Sequence, residues 1–159
     1  MSQRRKGYVL KMRDRGMAVA WVLVAAWAVV IFAMSAKSGL ELDAGTGIVS
    51  MAQRWLAGVL SDLFGQPVDP SPVGHFLEYL VFGALLVNAL RHSLAAGKTA
   101  FASVGIAAFY AVTDEFHQMF VPGRACDPAD WLVDVTAVAL AALIGWLILR
   151  ETKCGTTTP

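Results

Sequence analysis

Four long apolar stretches alternate with shorter polar segments along the 159-residue chain. A helix needs roughly 20 apolar residues to cross the hydrocarbon core of a bilayer, and each stretch has about that length. The stretches cover residues 17–34, 73–90, 99–120 and 131–149. The pattern predicts an all-α membrane protein with four transmembrane helices.

The longest polar segment, residues 35–72, lies between the first two stretches. Within it, apolar side chains recur at helical spacing, which predicts an amphipathic helix of about 17 residues that lies on the membrane surface or caps the bundle. Such a helix is either a lid over a site or an interfacial packing element. The predicted organisation is therefore a basic N-terminal segment (1–16), a membrane domain (17–149) and a C-terminal tail (150–159).

Charge distribution predicts the orientation of these helices. Of the 13 Lys and Arg residues, only Lys37, Arg54 and Arg124 lie on the side that contains residues 35–72, and the other ten lie on the opposite side. An excess of Lys and Arg marks the cytoplasmic side. We therefore expect a multi-pass membrane protein with both termini in the cytoplasm.

Composition fits a membrane protein and argues against nucleotide-binding and nucleic-acid-binding functions. Hydrophobic residues make up 57% of the chain and charged residues 16%, against about 25% charged in soluble domains. The first apolar stretch exceeds the roughly 7–15 residues of a signal-peptide core, so we expect it to be retained. No glycine-rich phosphate loop and no nucleic-acid-binding pattern occurs, and the expected partners are membrane lipids rather than nucleic acid.

The two cysteines fall on opposite predicted sides of the membrane and are not expected to pair. Cys126 is next to the polar residues described below. It is either a candidate nucleophile or an incidental small residue.

Ionisable residues interrupt the apolar stretches near their predicted outer ends. Such groups are costly in lipid and usually face a protein interior or a water-filled site. Ser71 and Pro72 resemble an N-cap and first helical position, as do Asp127 and Pro128. Helical spacing then places three groups of residues on shared faces: His75, Glu78 and Tyr79; Asp114, His117 and Gln118, with Glu115 about 100° away; and Asp130 and Asp134.

These helix ends predict one outward-facing polar pocket. Its candidate catalytic residues are His75, Glu78, Asp114, Glu115 and His117. Its candidate ligand-binding residues are Tyr79, Gln118, Arg124, Asp130 and Asp134. Arg124 follows a Pro-Gly turn and either neutralises nearby acids or binds an anionic head group or phosphate with two hydrogen bonds. No strong metal motif such as HExxH is present, so the cofactor stays open, with His75 and His117 as the candidate ligands of a divalent metal.

Three blocks of the sequence resemble the VanZ-like family of small bacterial membrane proteins. They are FAMSAKS at residues 32–38, HFLEY at 75–79, and DEFHQ with FVPGR at 114–124 followed by Asp130 and Asp134. The chain departs from the family where a Lys is common and Pro72 stands here, and where a Gly is common within residues 136–139. The resemblance covers about residues 17–149 and implies a four-helix inner-membrane protein, with a link of the named member to teicoplanin resistance.

Three functional hypotheses remain. In the first, the pocket binds a lipid-linked or peptidoglycan-related anionic ligand of the cell envelope. In the second, the protein is a membrane-embedded hydrolase or transferase with a His or carboxylate base or a metal. In the third, it is a small transporter, although the polar residues lie near one end only. Oligomeric state is not predicted.

Overall fold

The computed structural model describes residues 3–37, 48–68, 70–124 and 126–154. This part of the chain contains five helices and no strand, which confirms the all-α prediction. The helices are α1 (Gln3–Ser35), α2 (Ile48–Phe64), α3 (Pro70–Leu90), α4 (Ala96–Gln118) and α5 (Pro128–Cys154).

Three of the described helices are long and apolar enough to cross a membrane. The candidate spans are Asp14–Ser35 in α1, Ser71–Leu90 in α3 and Pro128–Glu151 in α5. With 23 residues, α4 is long enough to span at about 1.5 Å per residue. Its Asp114 and Glu115 lower its mean hydropathy, however, and it is not among these candidates. The helices indicate a membrane protein with three well-supported spans.

The starts of α3 and α5 test the two predicted N-caps. Asp127 accepts a 2.8 Å hydrogen bond from the backbone N–H of Ala129 through its Oδ1, so it caps α5 as predicted. Helix α3 begins at Pro70, which places Ser71 inside its first turn. The predicted N-cap at Ser71 was therefore wrong.

Helix α3 lies at the centre of the packing and contacts the other four helices. It approaches α5 closely at Gly83, where an added Cβ would lie 3.0 Å from the Cα of Val138. At Gly145 of α5, an added Cβ would lie 2.5 Å from Val87. The sequence indicates close packing at both glycines and also at Gly105, but no atom lies within 4 Å of a Cβ added at Gly105. Gly105 is thus not a packing glycine within the described residues.

Two long-range hydrogen bonds attach α1 to its neighbours. The indole N–H of Trp27 donates to the backbone carbonyl of Glu78 in α3 at 2.9 Å. The hydroxyl of Tyr110 in α4 donates to the carbonyl of Ala28 at 2.6 Å. Both bonds satisfy side-chain donors that would otherwise be partly buried without a partner.

The alternating helix directions give the bundle two different ends. We call the end where α1 finishes at Ser35, α4 finishes at Gln118 and α5 starts at Pro128 the site end. The opposite end contains the α3–α4 link, and there a Cβ added at Gly16 would lie 3.9 Å from the His92 ring.

The described amphipathic helix, α2, has the predicted length of 17 residues. Its buried Ala57 lies on the face towards the protein, and α2 contacts α3. Apolar side chains that recur at helical spacing form an exposed stripe on another face, which includes Trp55 at 70% and Leu63 at 73% exposure. An exposed apolar stripe on a helix beside a membrane bundle is suited to insertion into the lipid interface.

Candidate functional site

Polar side chains from four helices meet inside the site end of the bundle. Most of them are almost fully shielded from solvent, and only Glu78 and Asp130 are half-buried. We define the polar cluster as Ser35 of α1, His75 and Glu78 of α3, Asp114, Glu115 and Gln118 of α4, and Asp130 and Asp134 of α5.

His75 joins α3 to α5 through two carboxylates. Its Nδ1 lies 3.2 Å from Oδ1 of Asp134, within hydrogen-bond distance. Its Nε2 lies 3.8 Å from Oδ2 of Asp130. His75 is 6% exposed and Asp134 is fully buried. Because a carboxylate hydrogen-bonded to one ring nitrogen fixes the orientation of a histidine, the other nitrogen is held in place for chemistry or metal binding.

Asp114 connects α1 with α4. Its Oδ2 accepts a 2.8 Å hydrogen bond from the hydroxyl of Ser35 and a 3.4 Å hydrogen bond from the amide of Gln118. Its Oδ1 is buried and has no partner among the described residues. One oxygen of this carboxylate therefore organises the helix ends, and the other is left for water or a ligand.

Glu115 faces a different side of α4 from Asp114, as its 100° offset predicts. Its Oε2 accepts a 2.8 Å hydrogen bond from the backbone N–H of Asp127, which fixes the start of α5. Its Oε1 is buried and without a partner in the described part of the chain. Glu115 is 4% exposed and lies near enough to His75 and Asp130 to interact with them electrostatically.

His117 and Tyr79 occupy different surroundings. The imidazole of His117 stacks on the ring of Phe32 in α1, with 4.3 Å between ring centroids and 27° between planes. The ring of Tyr79 is fully buried and packs edge-on against Phe82, with 6.1 Å between centroids. Its hydroxyl and the Nε2 of His117 are both buried without a hydrogen-bond partner within the described residues.

Glu78 and Arg124 lie at the rim of the cluster. Glu78 interacts electrostatically with Arg124 and with His75. Among the described residues, no carboxylate lies within salt-bridge distance of Arg124, and its Nε is buried without a partner. Arg124 is positioned by the turn before it, because Gly123 has a φ of 77°, a conformation that only glycine adopts easily. The guanidinium is thus held beside the cluster with no carboxylate of the described residues at salt-bridge distance.

One set of side chains is close enough to share a metal ion. His75, Glu115 and Asp134 each offer a ligand atom, and these three atoms lie within 4.8 Å of one another. His117, the second candidate metal ligand of the sequence analysis, is not in this set. The set draws one residue from each of α3, α4 and α5.

The side chain of Cys126 is exposed in the loop before α5. Partial desolvation of the sulfur and the neighbouring Glu115 and Asp127 carboxylates raise the pKa of this thiol above its usual value of about 8.5. The thiol form therefore predominates at neutral pH, where a cysteine nucleophile would need the thiolate. The structure gives no support to a nucleophilic role for Cys126.

We expect Cys126 to react slowly with iodoacetamide at pH 7–8. Because its pKa is raised, the alkylation rate of Cys126 should still increase with pH in the range where the cysteine of an unstructured peptide is already fully ionised. The measurement is the alkylation rate against pH in the Cys154→Ser background, where Cys126 is the remaining cysteine. Glu115→Gln should increase the rate at pH 8. Alkylation at pH 7 faster than that of the peptide would contradict the role of the carboxylates.

Sequence reasoning missed the contribution of Ser35 to the cluster. Its hydroxyl is buried and bonded to Asp114, 79 residues away along the chain. A serine at the end of an apolar run was the available signal, since a polar side chain there can reach the other helix ends. Nothing in the spacing indicates which acid it would bind.

Comparison with known proteins gives one family. A model of the VanZ/LLP1 family matches residues 20–150, a range that includes every residue of the polar cluster and Arg124. Neither the curated proteins nor the solved structures contain a significant match.

Proposed function

The chain belongs to the VanZ/LLP1 family. We propose that it binds the anionic head group of a cell-envelope lipid at the site end. The observation that carries the proposal is Arg124, a cation held beside a buried polar cluster with no acidic partner in salt-bridge distance among the described residues. A guanidinium binds phosphate with two parallel hydrogen bonds, so a phosphate-bearing head group is the preferred ligand.

The proposal includes four membrane spans in the bacterial cytoplasmic membrane, with α4 as the fourth. Its acids lie in its last turns, next to α1, α3 and α5, so they need not face lipid. Most Lys and Arg residues lie at the opposite end of the bundle, which supports cytoplasmic termini and an outward-facing site end.

Exposed apolar side chains at the end of α4, a few residues before Arg124 in the sequence, favour a lipid over a free anion. Phe116 and Phe120 form an edge-on pair with 5.3 Å between centroids, and they are 61% and 71% exposed. Met119 between them is 59% exposed. A cation that follows an exposed apolar segment at the same end of the bundle fits an amphiphile, because the head group would reach Arg124 while the chain lies against the apolar side chains.

Binding of phosphate lipids to the purified full-length chain tests this proposal. We expect native mass spectrometry in mild detergent to show binding of phosphatidic acid or of a polyprenyl phosphate, and weak binding of phosphatidylcholine. Arg124→Ala should weaken binding at least about tenfold, since a hydrogen bond to a charged group contributes about 1.5–3 kcal/mol. Arg124→Lys should fall between, because it keeps the charge and loses the paired geometry.

Lys37→Ala is the matched control, since Lys37 is an exposed cation two residues beyond the cluster residue Ser35. It should bind within about twofold of wild type. Equal binding by wild type and Arg124→Ala would contradict the proposal. Tighter binding of phosphatidic acid would indicate a phospholipid ligand, and tighter binding of the polyprenyl phosphate would indicate a polyprenyl-linked envelope precursor.

The geometry of His75 supports a second candidate function, a hydrolase or transferase acting on such a lipid. A histidine oriented by a buried carboxylate, as His75 is by Asp134, is an arrangement suited to general-base catalysis. The same mass spectra separate the two functions, because turnover would yield a product mass that disappears in His75→Gln. Stable binding with no product favours the binding function.

The family resemblance also extends the proposal to glycopeptide resistance. If the lipid is a peptidoglycan precursor, cells producing the wild-type chain should tolerate more teicoplanin than cells producing Arg124→Ala at the same membrane level. Equal teicoplanin tolerance of the two strains would show that lipid binding at Arg124 does not confer resistance.

A further inference from the structure

One imidazole and two carboxylates lie close together in the polar cluster, and all three side chains are buried. His75, Glu115 and Asp134 are 6%, 4% and 0% exposed. One candidate ligand atom from each lies within 4.8 Å of the other two. They come from α3, α4 and α5, so the packing of these three helices brings them together.

Two carboxylate oxygens in this group lack partners. Oε1 of Glu115 and Oδ2 of Asp134 are buried and accept no hydrogen bond from the described residues. A buried acceptor without a partner costs roughly 1–3 kcal/mol, and more when it is charged. Because the two residues also belong to the set that could share a metal ion, these atoms point to a bound group that is not part of the polypeptide.

The charge of the region points to a cation. Five carboxyl groups lie in or at the rim of the cluster, namely those of Glu78, Asp114, Glu115, Asp130 and Asp134. The permanent cation beside them is Arg124, which interacts with Glu78 from outside salt-bridge distance. Burying several carboxylates requires compensation by protons or by positive ions.

We propose that His75, Glu115 and Asp134 bind a divalent metal ion of the Zn²⁺ or Mn²⁺ class. A mixture of one imidazole and two carboxylates suits these ions, because imidazole favours zinc and carboxylate favours manganese. The proposal does not depend on lipid binding by Arg124, since the ligands are distinct side chains and the ion can be measured in the absence of lipid.

The distances fit such an ion. Nitrogen and oxygen ligands lie about 2.0–2.2 Å from a bound zinc ion, so two neighbouring ligands lie about 3.0–3.5 Å apart. One ligand atom from each of His75, Glu115 and Asp134 lies within 4.8 Å of the other two, so side-chain rotations can bring them to this spacing.

The surrounding contacts hold two of the ligands in place. The backbone N–H of Asp127 donates to Oε2 of Glu115, which directs Oε1 inward. Asp130 lies 3.8 Å from the Nε2 of His75 and so is placed to fix the ring or to complete the shell. Metal ligands commonly have such supporting hydrogen bonds, and water or a bound phosphate would fill the remaining positions.

Titration of the metal-depleted full-length protein with Mn²⁺ tests the inference. In detergent without added lipid, the electron paramagnetic resonance signal of free Mn²⁺ should be lost until about one ion per chain is bound. Asp134→Asn and Glu115→Gln should each weaken binding by at least about tenfold. Zn²⁺ should compete with Mn²⁺ for the same site.

Two control variants carry the same side-chain types elsewhere. Asp62 is an exposed acid of α2, and His92 lies at the opposite end of the bundle. Asp62→Asn and His92→Gln should bind Mn²⁺ as wild type does. Helix content by circular dichroism and a single size-exclusion peak confirm that a variant is folded. The Tm of wild type should rise with Mn²⁺, and that of folded Asp134→Asn should not.

The inference is overturned if metal-depleted wild type binds less than about a tenth of an ion per chain at saturating Mn²⁺. It is equally overturned if Asp62→Asn weakens binding as much as Asp134→Asn. Lipid binding measured in the presence of a chelator then decides the proposed function separately. If lipid binding still depends on Arg124, the metal site alone is wrong, and if neither ligand binds, both ideas fail.

Discussion

Gly83→Ala is expected to destabilise the protein by about 1–3 kcal/mol, although alanine is the better helix former. The new Cβ would lie 3.0 Å from the Cα of Val138 and 3.0 Å from the Cβ of Ala141. Since one of these atoms belongs to backbone, α3 and α5 must move apart. Gly83→Leu should have a larger effect and prevent correct packing. The measurement is the free energy of unfolding in mixed micelles titrated with a denaturing detergent.

Gly105→Ala provides a control of opposite sign. Gly105 is also within a helix, but a Cβ added there would have nothing within 4 Å. Without a clash, the substitution should be neutral or stabilise by up to about 1 kcal/mol. If both alanine variants have the same stability, the close approach of α3 and α5 at Gly83 is wrong. The position of His75 relative to Asp134 would then also be in doubt, because the same helix pair sets it.

Asp114→Ala is expected to cost about 2–4 kcal/mol of stability. The substitution leaves the buried hydroxyl of Ser35 and the amide of Gln118 without their acceptor, and each lost bond to a charged group costs about 1–3 kcal/mol. Phe120→Ala, which truncates an exposed side chain at the same end of α4, should have little effect by comparison.

A double-mutant cycle isolates the bond between Asp114 and Ser35. We expect Ser35→Ala to be clearly milder than Asp114→Ala, and the double variant to resemble Asp114→Ala alone. The coupling free energy should be about 1–2 kcal/mol, within the range for hydrogen bonds between membrane helices. Additive effects of the two substitutions would contradict a direct bond between α1 and α4.

The helices were predictable because apolar run length and amphipathic spacing depend on local sequence. The α2 helix has its predicted length, and Asp127 caps α5 as its position before Pro128 indicates. Helix α1 begins at Gln3, well before the apolar run, because its basic residues also favour helix. Ser71 failed as a cap because Pro70 already opens the helix.

The contacts within the site were less predictable than its members. Helical spacing separates Asp114 from Glu115 on α4, and the structure places them against different neighbours. Which neighbour each acid meets depends on how the helices are rotated about their axes, and the spacing within one helix does not determine that rotation. For the same reason, spacing could not indicate that His75 meets Asp134 while His117 stacks on Phe32.

Photo-crosslinking locates the lipid site most directly. A polyprenyl phosphate with a photoreactive group near its head would be added to intact spheroplasts that produce the full-length chain, and the labelled peptides identified by mass spectrometry. We expect labelling of the α4–α5 connection around Arg124, with a marked loss in Arg124→Ala and none in Lys37→Ala. Labelling confined to the α3–α4 link at the opposite end, or equal labelling of wild type and Arg124→Ala, would contradict an outward-facing anion site.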